Sequence, residues 1–277
     1  MSFKKFVKRG FEYIITGKPN INLAAEISYR NPSGLLKGRR ILITGGGRGL
    51  GYSMAQKFVA EGGIVTISGR NADTLRKSAQ EIGCEYIVMD MLDISSFPTL
   101  LGQASNKMGG VDCLVNNAGV SFHEGNIMNV TPEQFDLQFG TNLRGSYFLT
   151  KEFISQTNDA NIKRNILFVS SERGFLADDL PYGLTKVAIN SLVKGLAFRF
   201  LKNGIRVNGI APGVTSSDMT GVAKDGNLYY PYNSNDRAYL PEEVAEVATF
   251  LLSDVSGCIS GEIIQCNEAK TVNAHWR

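Results

Sequence analysis

The run ILITGGGRGLGYSMAQKFVAE, residues 41–61, decides how the rest of the chain is read. Ile41–Thr44 is apolar enough to be a strand buried on both faces, and Ser53–Glu61 has the pattern of a helix. Between them lies TGGGRGLG (44–51). Glycines at 45, 49 and 51 let the backbone turn tightly and approach a pyrophosphate, and the helix behind them offers unpaired N–H groups and about half a unit of positive charge. Gly47, Arg48 and Leu50 complete this cradle. A glycine triplet alone is a weak signal; a strand before it and a helix after it, at the head of the first βα unit, make it a dinucleotide-binding turn.

Downstream the same alternation continues. IVTISG (64–69), YIVMD (86–90), DCLVNNAG (112–119), NILFVS (165–170), IRVNGIAPG (205–213) and GEIIQCN (261–267) read as strands. Thr74–Ile82, Ser96–Met108, one long helix Glu133–Gln156, Tyr182–Leu201 and Glu242–Leu252 read as the helices between them. Continuous apolar strands alternating with helices imply a parallel sheet covered on both faces. Right-handed crossovers then give an α/β, single-domain Rossmann fold with a doubly wound sheet. No internal repeat or linker interrupts it, so the domain is expected over 38–277, with 1–37 as an N-terminal extension.

Composition excludes several classes. The chain has 277 residues, 43% hydrophobic and 20% charged, which suits a globular domain with a sizeable core. No apolar run approaches the roughly 20 residues of a membrane-spanning helix. Cys84, Cys113, Cys258 and Cys266 form no CxxC pair and there are only two histidines, so no metal site is expected. Scattered cysteines suit a reducing, cytoplasmic setting. Residues 1–40 carry nine Lys/Arg against two Glu, and the remainder 20 against 24. A mildly acidic body argues against nucleic acid as a partner. Phe3, Phe6, Val7, Phe11, Ile14 and Ile15 recur at helical spacing opposite Lys4, Lys5, Lys8 and Arg9. Two readings stand for this stretch, 1–17: weak contact with an anionic membrane surface, or packing on the chain's own domain or a partner subunit. Residues 218–240, with Tyr229, Tyr230, Tyr232 and Tyr239, read as a substrate lid or as a surface loop whose tyrosines pack locally.

The second strand ends Ser68-Gly69-Arg70-Asn71, with no carboxylate to hold a ribose 2′-hydroxyl. Arg70 follows it, and Arg48 lies inside the glycine loop. Guanidinium forks bind phosphate well, so the pair favours NADP over NAD. Asp90, after the third strand, is placed to accept from an adenine amino group.

With these motifs in order, the chain resembles the short-chain dehydrogenase/reductase family from about Gly38 to Asn267. TGxxxGxG is matched at Thr44, Gly45, Gly49 and Gly51, and NNAG at Asn116–Gly119. A helical Asn is matched by Asn142, and the Ser-plus-YxxxK set by Ser171, Tyr182 and Lys186. The turn after the next strand is Pro212-Gly213. There are departures. Ser171 lies eleven residues before Tyr182 and Ser170 twelve, where the family usually has about thirteen; Ser171 is favoured because Gly174 follows at the usual offset. The last strand reads Gln265-Cys266-Asn267-Glu268 in place of an acidic-Gly-Gly ending.

The resemblance implies hydride transfer between a nicotinamide and a small carbonyl or alcohol substrate. Ser171 would hold the carbonyl oxygen, and Lys186 would bind the nicotinamide ribose. Asn142 would anchor a relay water. Asn116, Ala118 and Gly119 would line the ribose and the floor of the site. Backbone groups at Gly213–Thr215, with Ser217, would hold the carboxamide. It also implies a homo-oligomer, a tetramer or dimer built through helices 133–156 and 182–201. Tyr182 and Lys186 share a helix face. An ammonium about 4 Å from the phenol oxygen would favour phenolate by about 4 kcal/mol at an effective dielectric of 20, enough to bring the phenol toward neutrality as an acid/base. The rival reading is a non-catalytic NADP-binding sensor or scaffold.

Overall fold

The computed structural model describes residues 33–156, 163–217, 219–222 and 226–272. The basic stretch 1–17, and positions 218 and 223–225 of the tyrosine-rich segment, lie outside the described residues. Seven strands form one sheet: β1 (Arg40–Thr44), β2 (Ile64–Gly69), β3 (Glu85–Val88), β4 (Cys113–Asn116), β5 (Arg164–Val169), β6 (Ile205–Pro212) and β7 (Ile263–Cys266). Every pairing is parallel, in the order β3-β2-β1-β4-β5-β6-β7. The helices are α1 (Gly49–Ala60), α2 (Ala72–Ile82), α3 (Phe97–Met108), α4 (Pro132–Gln138), α5 (Ser146–Ser155), α6 (Pro181–Phe200) and α7 (Pro241–Leu252). This is the doubly wound Rossmann architecture expected from the alternation. Among the described residues no helix is long and apolar enough to cross a membrane.

Successive side chains of a strand point to opposite faces, and the two cores show it. Ile41 and Ile43 of β1 join Met54 and Phe58 of α1, Leu75 of α2, and Val244 and Leu251 of α7. Leu42, between them, joins Leu101 of α3, Leu149 and Phe153 of α5, and Val193 of α6 on the other face. With both faces filled, the strands cannot alternate apolar and polar, which is why they read as continuous apolar runs. Local signals set the ends. Asn71 caps α2 through a 2.9 Å bond from Thr74 N–H, and Gly83 closes it in the left-handed region.

The stretch read as a single helix from Glu133 to Gln156 departs from expectation. It is α4, then a π-helical turn over Phe139–Gly145, then α5. A Cβ at Gly145 would lie 2.5 Å from the Met91 carbonyl oxygen, and one at Gly140 would lie 2.7 Å from Leu92 Cδ2. The glycines let this turn press on the loop after β3. The wider winding carries Asn142 inward, where it is 2% exposed. Spacing could not reveal it, because a π turn leaves the helical pattern on either side intact.

Chain order reverses between β1 and β4: one leads to β2, the other to β5. Connections therefore leave on opposite sides, and a crevice opens beyond the carboxyl ends of these strands. Of the residues picked out from sequence, the glycine loop follows β1, Asn116–Gly119 end β4, Ser171 follows β5 and Pro212–Ser217 end β6, while Arg70 and Asp90 follow β2 and β3.

Candidate active site

The glycine loop is built for close approach. Gly45 and Gly49 have φ of 67° and 55°, a region glycine enters without penalty. A Cβ at Gly51 would sit 2.3 Å from the Gly45 carbonyl oxygen, so only glycine lets α1 start there. Arg48 precedes α1 and makes no side-chain cap, so that helix turns its N-terminal N–H groups toward the crevice without one. Gly46 N–H donates to Ser68 O at 3.0 Å, tying the loop to the end of β2. There Arg48 and Arg70 are both exposed beside the loop. Asp90 is exposed after β3, where its Oδ1 accepts from Leu92 N–H at 3.0 Å. Leu50, half-buried, packs against the edge of the core. This cradle fits the diphosphate of a dinucleotide.

The NNAG segment meets the glycine loop through a residue the sequence reading passed over. Asn117 Nδ2 donates to Thr44 O at 2.9 Å and to Gly45 O at 3.0 Å. Thr44 Oγ1 in turn accepts from Asn117 and Ala118 N–H, each at 3.0 Å. Asn116, expected at the floor of the nucleotide site, turns inward and donates to Thr150 Oγ1 at 2.9 Å. Strand geometry explains the swap: adjacent residues point to opposite sides, and Asn116 is the last residue of β4. Across the crevice, Ser217 Cβ would lie 3.7 Å from a Cβ at Gly49, so the 213–217 segment faces the glycine loop. Thr215 Oγ1 donates to Gly213 O at 2.9 Å, and Gly213 N–H donates to Cys266 O at 3.0 Å just past Pro212.

Tyr182 and Lys186 lie one turn apart at the start of α6. Lys186 Nζ is 5.3 Å from the centre of the Tyr182 ring and donates to Val169 O at the end of β5, at 2.8 Å. Two adjacent serines leave β5 in opposite directions. Ser170 bonds Asn190 Oδ1 at 2.6 Å and belongs to the α6 packing. Ser171 faces Tyr182, where its hydroxyl favours the phenolate form. Asn190 also donates to Gly174 O at 2.9 Å, and a Cβ at Gly174 would meet its amide at 2.7 Å. That close approach holds the loop after β5 on α6. Asn142 grips Val120 on both sides, accepting its N–H at 2.8 Å and donating to its carbonyl at 2.9 Å, and reaches Thr185 Oγ1 at 3.4 Å.

The electrostatics differ from the sequence expectation. Burial pushes Tyr182 above the ordinary tyrosine value, opposed by Ser171 and by the Arg173 guanidinium. Burial also pulls the Lys186 ammonium down to about 8. The expected acidified phenol is thus not a property of the protein alone. Taking both groups out of water disfavours both charged forms, and the ammonium bonds a carbonyl below the ring rather than the phenol oxygen.

His123, after β4, adopts φ 55° and places Nε2 2.7 Å from Met219 O. In the segment read either as a lid or as a loop with locally packed tyrosines, Tyr230 and Tyr232 pack edge to face with centroids 5.4 Å apart, and Tyr239 is buried under Arg237.

Residues 45–268 match the family model described as enoyl-(acyl carrier protein) reductase, whose members are short-chain dehydrogenases. The chain belongs to the short-chain dehydrogenase/reductase family. It is similar to the oxidoreductase UcpA of Salmonella typhimurium, 31% identical over 82% of this chain and 92% of that one. It is also similar to the 3-oxoacyl-[acyl-carrier-protein] reductase FabG of Aquifex aeolicus, 29% identical over 84% and 97%. Among solved structures, the 3-ketoacyl-(acyl-carrier-protein) reductase of Brucella melitensis complexed with NADH superposes with a TM-score of 0.79 at 28% identity. That match covers 85% of this chain and 99% of the other.

One departure from the short-chain dehydrogenase pattern has a structural reading. Where the family commonly ends its last strand acidic-Gly-Gly, this member has Asn267-Glu268-Ala269. Glu268 and Ala269 adopt φ of 49° and 65°. The left-handed turn suited to two glycines is kept by two residues that pay for it, at about 1 kcal/mol each.

Proposed function

We propose that this short-chain dehydrogenase/reductase is an NADP(H)-dependent enzyme interconverting a carbonyl and a secondary alcohol, with Tyr182 as its acid/base. The observation that carries the reading is the meeting of Tyr182, Ser171 and Lys186 beyond the ends of β5 and β6, in the crevice whose other wall is the glycine loop. A bound nicotinamide dinucleotide supplies or accepts the hydride. Gly45, Gly47, Gly49, Gly51, Ala118, Gly119, Pro212, Gly213, Thr215 and Ser217 would hold it, with Asp90 at the adenine. Ser171 donates to the substrate carbonyl oxygen and holds it against Tyr182. In the reducing direction Tyr182 passes its proton to that oxygen. A phenol held above its ordinary value keeps this proton at neutral pH, so the resting side chain is already the acid that reduction needs. Lys186, at about 8, remains mostly protonated at pH 7 and would bind ribose hydroxyls. Asn142 fixes Val120 and the start of α6, where a relay water would sit.

Arg48 and Arg70, with no carboxylate at the end of β2, support NADP over NAD. Relatives named for 3-oxoacyl thioesters make a small 3-oxo compound the first substrate to try. Free cysteines suit a cytoplasmic setting. Exposed apolar side chains on α4, α5 and α6, among them Phe135, Tyr147, Leu184 and Phe198, support a homo-oligomer through these helices.

The test follows NADPH absorbance with a carbonyl panel. Wild type turns over at least one compound, and Tyr182→Phe lowers the rate about a thousandfold with NADPH binding retained. Wild type that binds NADPH and reduces nothing in the panel would favour the sensor or scaffold reading.

A further inference from the structure

Glu172 follows the serine that faces Tyr182, and its carboxylate is buried, with the residue 5% exposed. Oε1 accepts from Lys270 Nζ at 2.6 Å. Oε2 has no partner among the described residues. It lies over Gly213: a Cβ there would be 3.1 Å from Oε2 and 2.7 Å from Tyr239 Cε2. Lys270 also reaches Asn233 Oδ1 at 3.4 Å. Asn233 in turn donates to Arg237 O at 2.7 Å and to Val214 O at 3.3 Å. One ammonium thus joins the Ser171 loop to the segment 226–240, and through it to the 213–217 segment that faces the glycine loop.

The chain spends backbone energy to put it there. Lys270 directly follows Glu268 and Ala269, the two non-glycine residues in the left-handed region. Asn267, 1% exposed, anchors the turn by accepting Lys270 N–H at 3.2 Å and donating from Nδ2 to Thr271 Oγ1 at 3.1 Å. Consecutive strained residues persist where the surroundings over-determine them. Here they fold the chain after β7 back so that its lysine meets a buried carboxylate from the loop after β5.

We propose that Lys270 is a positioning residue for this site: paired with Glu172 and bonded to Asn233, it holds Ser171 in register with the segment 213–240. The inference rests on the reading of Ser171 and Tyr182 as the reacting pair. Lys270 does not touch the reacting atoms; it acts through the loop that carries Ser171. A displacement of about 1 Å in a group that orients the substrate lowers rate by up to about a hundredfold.

The test compares full-length wild type, K270M and E172Q/K270M by steady-state kinetics, thermal unfolding and amide hydrogen exchange. K270M strands a buried carboxylate, so it loses stability, and its kcat falls about tenfold while the KM for NADPH stays within about twofold. The neutral pair E172Q/K270M removes the stranded charge and recovers thermal stability. It still lacks the tether, so kcat stays about fivefold or more below wild type, and exchange at 172–175 and 226–240 stays about tenfold faster. A purely structural ion pair predicts otherwise, with kcat and exchange returning alongside stability. Wild-type kcat and exchange in the double variant would overturn the proposal. Should K270M not fold, the double variant carries the test alone. Exchange needs no turnover, so a wild type inactive on every carbonyl would sink the catalytic reading while Lys270 is still judged.

Discussion

Replacing Lys186 by Met should make the protein more stable as it makes it inactive. Lys186 is 5% exposed, its ammonium pairs with no carboxylate among the described residues, and burial alone pulls it from 10.5 to about 8. Such a lowering corresponds to about 3 kcal/mol withheld from the folded state while the lysine is charged. Methionine has a similar length and no charge to desolvate. It also leaves the Val169 carbonyl without this donor, which costs about 1 kcal/mol. A net gain of about 2 kcal/mol remains, worth about 4 °C in Tm for a chain of this size. The pH dependence is the sharper part. Below about 8 the folded and unfolded lysines are both protonated and the penalty is fully present. Between about 8 and 10.5 the unfolded chain binds more protons than the folded one, so wild-type stability rises with pH and the advantage of Lys186→Met shrinks. Chemical denaturation at pH 7, 9 and 10.5 reads it directly. A variant less stable than wild type at pH 7, or an advantage unchanged up to pH 10.5, refutes the reasoning.

Other consequences can be measured with the same reagents. Carbonyl reduction should decline as pH rises through about 8, where Lys186 loses its proton, while alcohol oxidation should gain from higher pH because Tyr182 must first lose its own; rate profiles in both directions check this, and parallel profiles would count against it. Arg70→Ser should raise the Kd for NADPH about tenfold and leave that for NADH within about twofold, by fluorescence titration, since a guanidinium has a 2′-phosphate to bind only in the former. Ala269→Gly should stabilise by about 1 kcal/mol in thermal unfolding, because glycine occupies φ 65° without the Cβ penalty.

Much of the fold is legible in the sequence. Each strand and the glycine loop could be read because their signals are local: apolar continuity, a positive-φ turn, a helix beginning where the glycines end. Tyr182 and Lys186 could be paired because i and i+4 share a helix face whatever surrounds them. Ser171 could be preferred over Ser170 only by an offset to Gly174; the bond from Ser170 to Asn190 supplies the reason, since α6 takes one serine and leaves the other toward Tyr182.

What the sequence determined alone was therefore the periodicity, the turns and the family motifs, all set within a few neighbouring residues. Tertiary structure decided the rest. It turned Asn116 inward to Thr150 and tied Asn117 to the glycine loop, wound Asn142 into a π turn, and raised Tyr182 where a lysine one turn along had suggested acidification. It also brought Lys270 across 98 residues to Glu172. Each outcome depends on which side chains share a buried volume and how much water that volume excludes, and burial is a property of the packed chain as a whole.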